Sequence, residues 1–273
     1  MKNIMIAIKK DKGAFISLIF LVIFGVACIF AFLSPYKPNE INLANAFESP
    51  SIHHIFGTDS LGRDYFTRLL YGGRITLLVG LSVMIISTFI GTIIGSLSGY
   101  IGGVFDTVIM RILEILMSIP AFFILLVLSV ILKSSLMEIV LVLAAFSWMG
   151  TARIIRGEVN ALKEADYIKC AKTQGIGTFK IIRTHVIPNI SQIIIVNATM
   201  SAAGAILTEA MLSFLGLGLK PPIASLGSML NAGQQNMMTE PYLVIFPSIA
   251  IILVILAFNM IGRGLQKSIG KRR

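Results

Sequence analysis

The chain is most constrained by its stretches of about 20 apolar residues with no charge, the length a helix needs to cross a hydrocarbon core roughly 30 Å thick. Ala14–Leu33 runs 20 residues without a charged side chain, and Ile75–Leu97 runs 23. Ile112–Leu132 follows with one carboxylate, Glu114, and then the shorter Leu136–Ala152, with Glu138 near its start. Val186–Thr208 and Tyr242–Gly262 are again free of charge. Each must be helical, because unpaired backbone groups in lipid cost several kcal/mol. Ala14–Leu33 follows Lys9, Lys10 and Lys12 in the manner of a signal peptide. It exceeds an apolar h-region of about 7–15 residues and no A-x-A-like site follows, so it reads as a retained span.

These stretches predict an all-α membrane protein with six transmembrane helices. Charged residues make up 13% of the 273, against roughly 25% in soluble domains. Disordered and ordinary soluble classes are thereby excluded, and two separated cysteines, Cys28 and Cys170, give no disulfide framework. Six spans put both termini on one side. That side carries 17 of the 23 Lys and Arg residues, so the positive-inside rule predicts cytoplasmic termini and a cytoplasmic 152–186 segment. The net charge of +10 is thus a topology signal. No nucleic-acid partner is expected, since only Tyr167 and Phe179 interleave the basic segment.

The connections are unequal. The outer segment Ser34–Arg74 contains His53, His54, Asp59, Gly62, Arg63 and Asp64. Adjacent histidines do not converge and no third His or Cys is near, so no metal site is expected. Asp59 and Asp64 are expected to satisfy backbone donors and pair with arginine. The inner segment alternates charge along one predicted helix from Arg153 to Lys172, with Glu164 and Asp166 five and six residues before Lys169 and Lys172. Gly175-Ile176-Gly177 breaks it, Thr178 is expected to cap the next helix, and Pro188 lies about two and a half turns in. A loop needed only to join two spans could be far shorter, which favours a docking element. Ser213–Pro241 is dense enough in Gly and Pro to forbid a regular helix and apolar enough to pack on the bundle.

Polar residues within spans read as functional by default. Glu114 is expected to pair with Arg111 at i,i+3. Pro120 is a predicted kink. Asn197 and Asn259 read first as interhelical hydrogen bonds and, with Ser201, as candidates for the pore lining. Glu209 closes the fifth span at its outer end, either as an outer-mouth residue or in simple interfacial exposure.

Three ordered features carry a resemblance over nearly the whole chain: Gly57-Thr58-Asp59-x-Leu61-Gly62-Arg63-Asp64, Arg153-x-x-Arg156 through Ala171-x3-Gly175 to Pro188, and Ser213-Phe214-Leu215-Gly216-Leu217-Gly218 with Pro221-Pro222. The sequence resembles the second membrane subunit of ATP-binding-cassette importers of the oligopeptide/dipeptide/nickel class. That resemblance implies a type I importer permease fold, with residues 1–74 forming the first helix and external loop, 75–263 the permease domain, and 264–273 a basic cytoplasmic tail. It implies a second homologous permease subunit, two ATPase subunits and an extracytoplasmic substrate-binding protein as partners in the bilayer. ATP and Mg would bind to those ATPases and no cofactor to this chain. It also implies a docking helix built on a Glu-Ala-Ala-x3-Gly pattern. Ala171, Gly175 and Pro188 match that pattern, while Lys169 replaces the Glu and Cys170 the first Ala. Glu164 or Asp166, with Ala165 and Gly177, would then complete the coupling surface.

The residues agree with a non-catalytic role. No Gly-x4-Gly-Lys-Ser/Thr loop occurs, so ATP cannot be held in that way. No nucleophile–base pair lies within the spans, against an intramembrane hydrolase. The second, fifth and sixth spans hold no ionisable residue, against a stand-alone secondary transporter. Peptides are the expected cargo, with nickel or another metal chelate as the alternative.

Overall fold

The computed structural model describes residue 8 and residues 11–131 and 135–270. Leu132 and Lys133, the basic residues Lys9 and Lys10, and the terminal Lys271–Arg273 lie outside the described residues.

Helix α1 spans Lys12–Ile29 and is capped by Asp11, whose Oδ1 accepts from the Ala14 amide at 3.1 Å. Lys267 Nζ reaches the other oxygen of Asp11 at 3.1 Å. The capping amide and this ammonium hold the Asp11 carboxyl below the usual carboxylate range. The start of α1 and the segment around Lys267 therefore share one end of the bundle.

Helix α2, Tyr65–Ile101, is 37 residues long and contains the whole predicted second span. Asp64 caps it, with Oδ2 accepting from the Thr67 amide at 2.8 Å, and Gly102 at φ +70 ends it. At 1.5 Å per residue α2 is about 55 Å long, well beyond a hydrocarbon core. It is the central pillar, packed along the helices Leu136–Leu162 and Ile187–Phe214. Gly91, Gly95 and Gly99 recur every four residues on the face toward α5, Leu136–Leu162. A Cβ at Gly91 would lie 2.6 Å from Thr151 Cβ, and one at Gly99 would lie 2.8 Å from the Arg156 carbonyl oxygen. The glycines let two backbones approach as small residues do wherever lipid supplies no hydrophobic drive.

The third predicted span is two helices, α3 at Gly103–Ser118 and α4 at Ala121–Ile131, bent by 73°. The expected kink is a full break. Ile119 is extended (φ −89, ψ 127), as steric conflict with the following Pro120 demands. Arg111 and Glu114 form the expected pair at 2.9 Å, exposed on α3.

The fourth span is longer than its apolar stretch: α5 continues ten residues past Ala152, to Leu162. Glu138 caps its start, its carboxylate accepting from the Ser135 amide at 3.0 Å while Ser135 Oγ accepts from the Glu138 amide at 3.3 Å. The single predicted helix across 153–172 is broken at Lys163–Ala165. A separate helix α6 covers Asp166–Thr173.

Helix α7, Thr178–Ile181, continues through a wide turn at Ile182–Val186 into α8, Ile187–Phe214. Thr178 does not cap. Gly177 occupies the cap position and Thr178 is the first helical residue. The wide turn lies where Pro188 removes an amide from the helical ladder. Within Ser213–Pro241 the turn-rich stretches, 215–225 and 235–241, flank a regular helix α9, Leu226–Gln234, which Ser225 and Ser228 cap. Helix α10, Tyr242–Gly270, extends eight residues beyond the predicted sixth span and takes in most of the predicted tail. Val196 packs near Gly262, so the start of α8 and the end of α10 lie at the charged end with α6.

Candidate functional site

The charged end is a small packed domain in its own right. Ile155 and Val159 of α5, Ile168 and Ala171 of α6, Ile181 of α7, Val186 of the wide turn and Ile190 of α8 form one buried cluster. Helix α6 is therefore seated on both spans that flank it. Gly175 turns the chain between α6 and α7 at φ +75, where a side chain would be strained. Its amide donates to the Lys172 carbonyl at 3.0 Å and the Ile176 amide reaches back to Ala171 at 3.2 Å. Of the residues predicted for this segment, Ala171 is core, whereas Asp166 and Gly177 sit at helix starts. Glu164 meets Lys169 at 3.2 Å despite the spacing of five, because the helix break between them brings the two together. Tyr167 and Phe179 are left exposed, the latter by 71%.

An ion pair that the sequence did not suggest also ties this end together. Arg156 Nε of α5 lies 2.9 Å from Asp106 Oδ1 of α3, its Nη2 contacts Oδ2, and Ser98 of α2 also donates to Asp106. The three helices are pinned at one point. The opposite charges stand 50 residues apart, so no local spacing pairs them.

Within the spans, Asn197 Nδ2 of α8 donates to Thr151 Oγ1 of α5 at 2.8 Å. Ser201 shares a 3.0 Å hydrogen bond with Ser87 of α2. Both are interhelical ties. Asn259 of α10 is half-buried. Glu209 is fully buried, which removes the exposed interfacial reading. Its Oε1 accepts from Ser213 Oγ at 2.7 Å, and Thr76 Oγ1 stands 3.5 Å from Oε2 while accepting from the Leu226 amide at 3.2 Å. Glu209 thus joins α8, α2 and the start of α9.

The far end is closed by the Ser34–Asp64 loop. Asp59 Oδ1 accepts from the Leu61 and Arg63 amides at 2.9 and 3.1 Å, and Oδ2 takes Arg63 Nε and Nη2 at 2.7 Å each. Arg68 Nε adds a longer contact at 3.4 Å. The expected carboxylate–arginine lock is present. His54 is buried and meets Asp64 at 2.9 Å, a pairing that spacing alone did not suggest. Gly57 lies against Tyr242, whose hydroxyl donates to the Thr58 carbonyl at 2.8 Å and ties the loop to α10.

These features define a multi-span α-helical membrane protein whose charged end is a packed, partly aromatic surface and whose opposite end is a structured loop. Residues 91–273 match the family of binding-protein-dependent transport system inner membrane components, and residues 1–50 match the N-terminal transmembrane domain of oligopeptide transport permease C. The chain belongs to the binding-protein-dependent transport system inner membrane component family. It is 41% identical over 264 residues to the dipeptide transport system permease protein DppC of Bacillus subtilis, covering 96% of this chain and 82% of that relative. It is 37% identical over 269 residues to the oligopeptide transport system permease protein OppC of the same organism, covering 98% and 88%. To OppC of Haemophilus influenzae it is 39% identical over 263 residues, covering 95% and 85%.

Proposed function

We propose that this chain is one of two permease subunits forming the translocation pore of an ATP-driven peptide importer. Helix α6 and the Gly175 turn would be its contact with a separate ATPase. The observation that carries the coupling is the shared core of α5, α6, α7 and α8, which makes the exposed α6 surface a handle on two spans. The names of the relatives support peptides over metal chelates. Two ATPase subunits and an extracytoplasmic binding protein complete the assembly in this reading, and rocking of the spans gives alternating access.

The basic end is assigned to the cytoplasm by its excess of Lys and Arg. A reporter after Arg273 and one near Lys172 should both read cytoplasmic, while one near Lys37 should read external. An external signal at Lys172 would remove the ATPase contact from this reading.

Gly175→Val tests the turn. A Cβ added at Gly175 would meet no atom within 4 Å, so the substitution clashes with nothing and acts through the backbone alone. Holding a β-branched residue at φ +75 costs about 1–2 kcal/mol. The variant should insert and assemble, while transport and substrate-stimulated ATPase activity fall several-fold together. Wild-type coupling in this variant would contradict the proposed role of the turn.

A further inference from the structure

At the loop end, a cavity of about 210 Å³ opens between α2 and the Pro222–Ala224 segment, and Arg68 is the charged side chain of its wall. Arg68 is about nine-tenths buried, with side-chain exposure of 10%. Its Nη1 donates to two neutral acceptors, the Pro38 carbonyl at 2.9 Å and Asn39 Oδ1 at 3.2 Å. Its Nε shares Asp59 with Arg63, which holds the same carboxylate oxygen more closely. Two guanidinium groups therefore divide the Asp59 carboxylate at the cavity wall. Arg68 Nη2, the Asn39 amide nitrogen and the Tyr71 hydroxyl make no hydrogen bond among the described residues. No carboxylate lines the cavity, and Ile75 and Ile223 give it an apolar wall.

A buried guanidinium that shares its counter-ion is matched by an oxyanion, and a planar guanidinium fits a carboxylate best. We propose that this cavity is a weak subsite for the terminal carboxylate of the cargo, with an adjoining small apolar side chain against Ile75 and Ile223. The subsite receives the carboxylate at the mouth, and its single cation, already shared with Asp59, keeps binding weak enough for release. The identity of the carboxylate-bearing molecule rests on the peptide reading above. The test reads binding and not transport, so failure of ATP-driven import leaves its outcome intact.

Saturation-transfer NMR on the assembled complex in phosphatidylcholine nanodiscs, without binding protein, compares trialanine with trialanine amide. Charge-assisted bonds to one carboxylate favour the free acid by about tenfold. Arg68→Lys and the cavity-filling Ala224→Trp should both abolish the difference, and Tyr71→Phe should reduce it. Lys220→Gln, which removes a nearby charge outside the cavity, should leave it intact. Equal binding of acid and amide to the wild type overturns the proposal, as it would if a lipid phosphate already occupied the donors. A difference that persists in Ala224→Trp, or that Lys220→Gln abolishes, also overturns it.

Discussion

Gly95→Val should prevent α2 from docking on α5 and leave little assembled protein in the membrane. The Cβ of any side chain at this position would run into the Ala152 carbonyl oxygen and would lie 3.0 Å from Ile155 Cβ. A carbonyl within a helix cannot step aside as a side-chain tip can, so the two helices must separate. Overpacking of this kind costs about 1–3 kcal/mol, and more where backbone is the obstacle. Separation at Gly95 also draws Arg156 away from Asp106 one turn further on. Gly150→Val is the control, because nothing lies within 4 Å of a Cβ there. Detergent-solubilised Gly95→Val should lose its monodisperse peak on fluorescence-detected size exclusion, while Gly150→Val keeps it. Wild-type behaviour of Gly95→Val would contradict the close helix contact.

Asp59→Ala should release the Ser34–Asp64 loop without expelling the chain from the membrane. This carboxylate is the counter-ion of both Arg63 and Arg68, whose side chains are 16% and 10% exposed, and it satisfies two loop amides as well. Removing one partner of a buried pair costs about 3–5 kcal/mol, because the remaining charge is left uncompensated. The loop should become sensitive to trypsin at Arg63 from the loop side, with α1 and α10 still protected by the bilayer. Asp59→Asn should show a smaller effect, since its side-chain oxygen still accepts from an amide. Equal trypsin resistance of Asp59→Ala and the wild type would show that the loop is held by its apolar contacts alone.

The sequence made the spans legible wherever apolarity alone decides, as in Ala14–Leu33 and Tyr242–Gly262. It lost their ends wherever a helix continues into water. α5 passes Ala152 to reach Leu162 because Arg153, Arg156 and Glu158 are good helix formers, and charge marks the membrane boundary and not the helix boundary. Pro120 was visible, but the 73° angle depends on what α3 and α4 pack against. The Asp59 lock was legible because its partners are local. The ties of Asp106 to Arg156 and of His54 to Asp64 needed the tertiary structure. The glycines at 91, 95 and 99 were legible in principle, since their four-residue spacing is the signature of close helix approach.

In the proposed importer α6 faces the cytoplasm and touches an ATP-hydrolysing subunit, and the chain holds a native probe of that contact. Cys170 is exposed on α6, whereas Cys28 is buried in the bundle. A short thiol-directed photocrosslinker should react at Cys170 in inverted membrane vesicles and join the chain to an ATPase subunit, with no such product in Cys170→Ser. In intact cells, a membrane-impermeant thiol reagent should leave Cys170 unmodified. Labelling of Cys170 from outside intact cells, or a crosslink formed only to an external protein, would contradict the account.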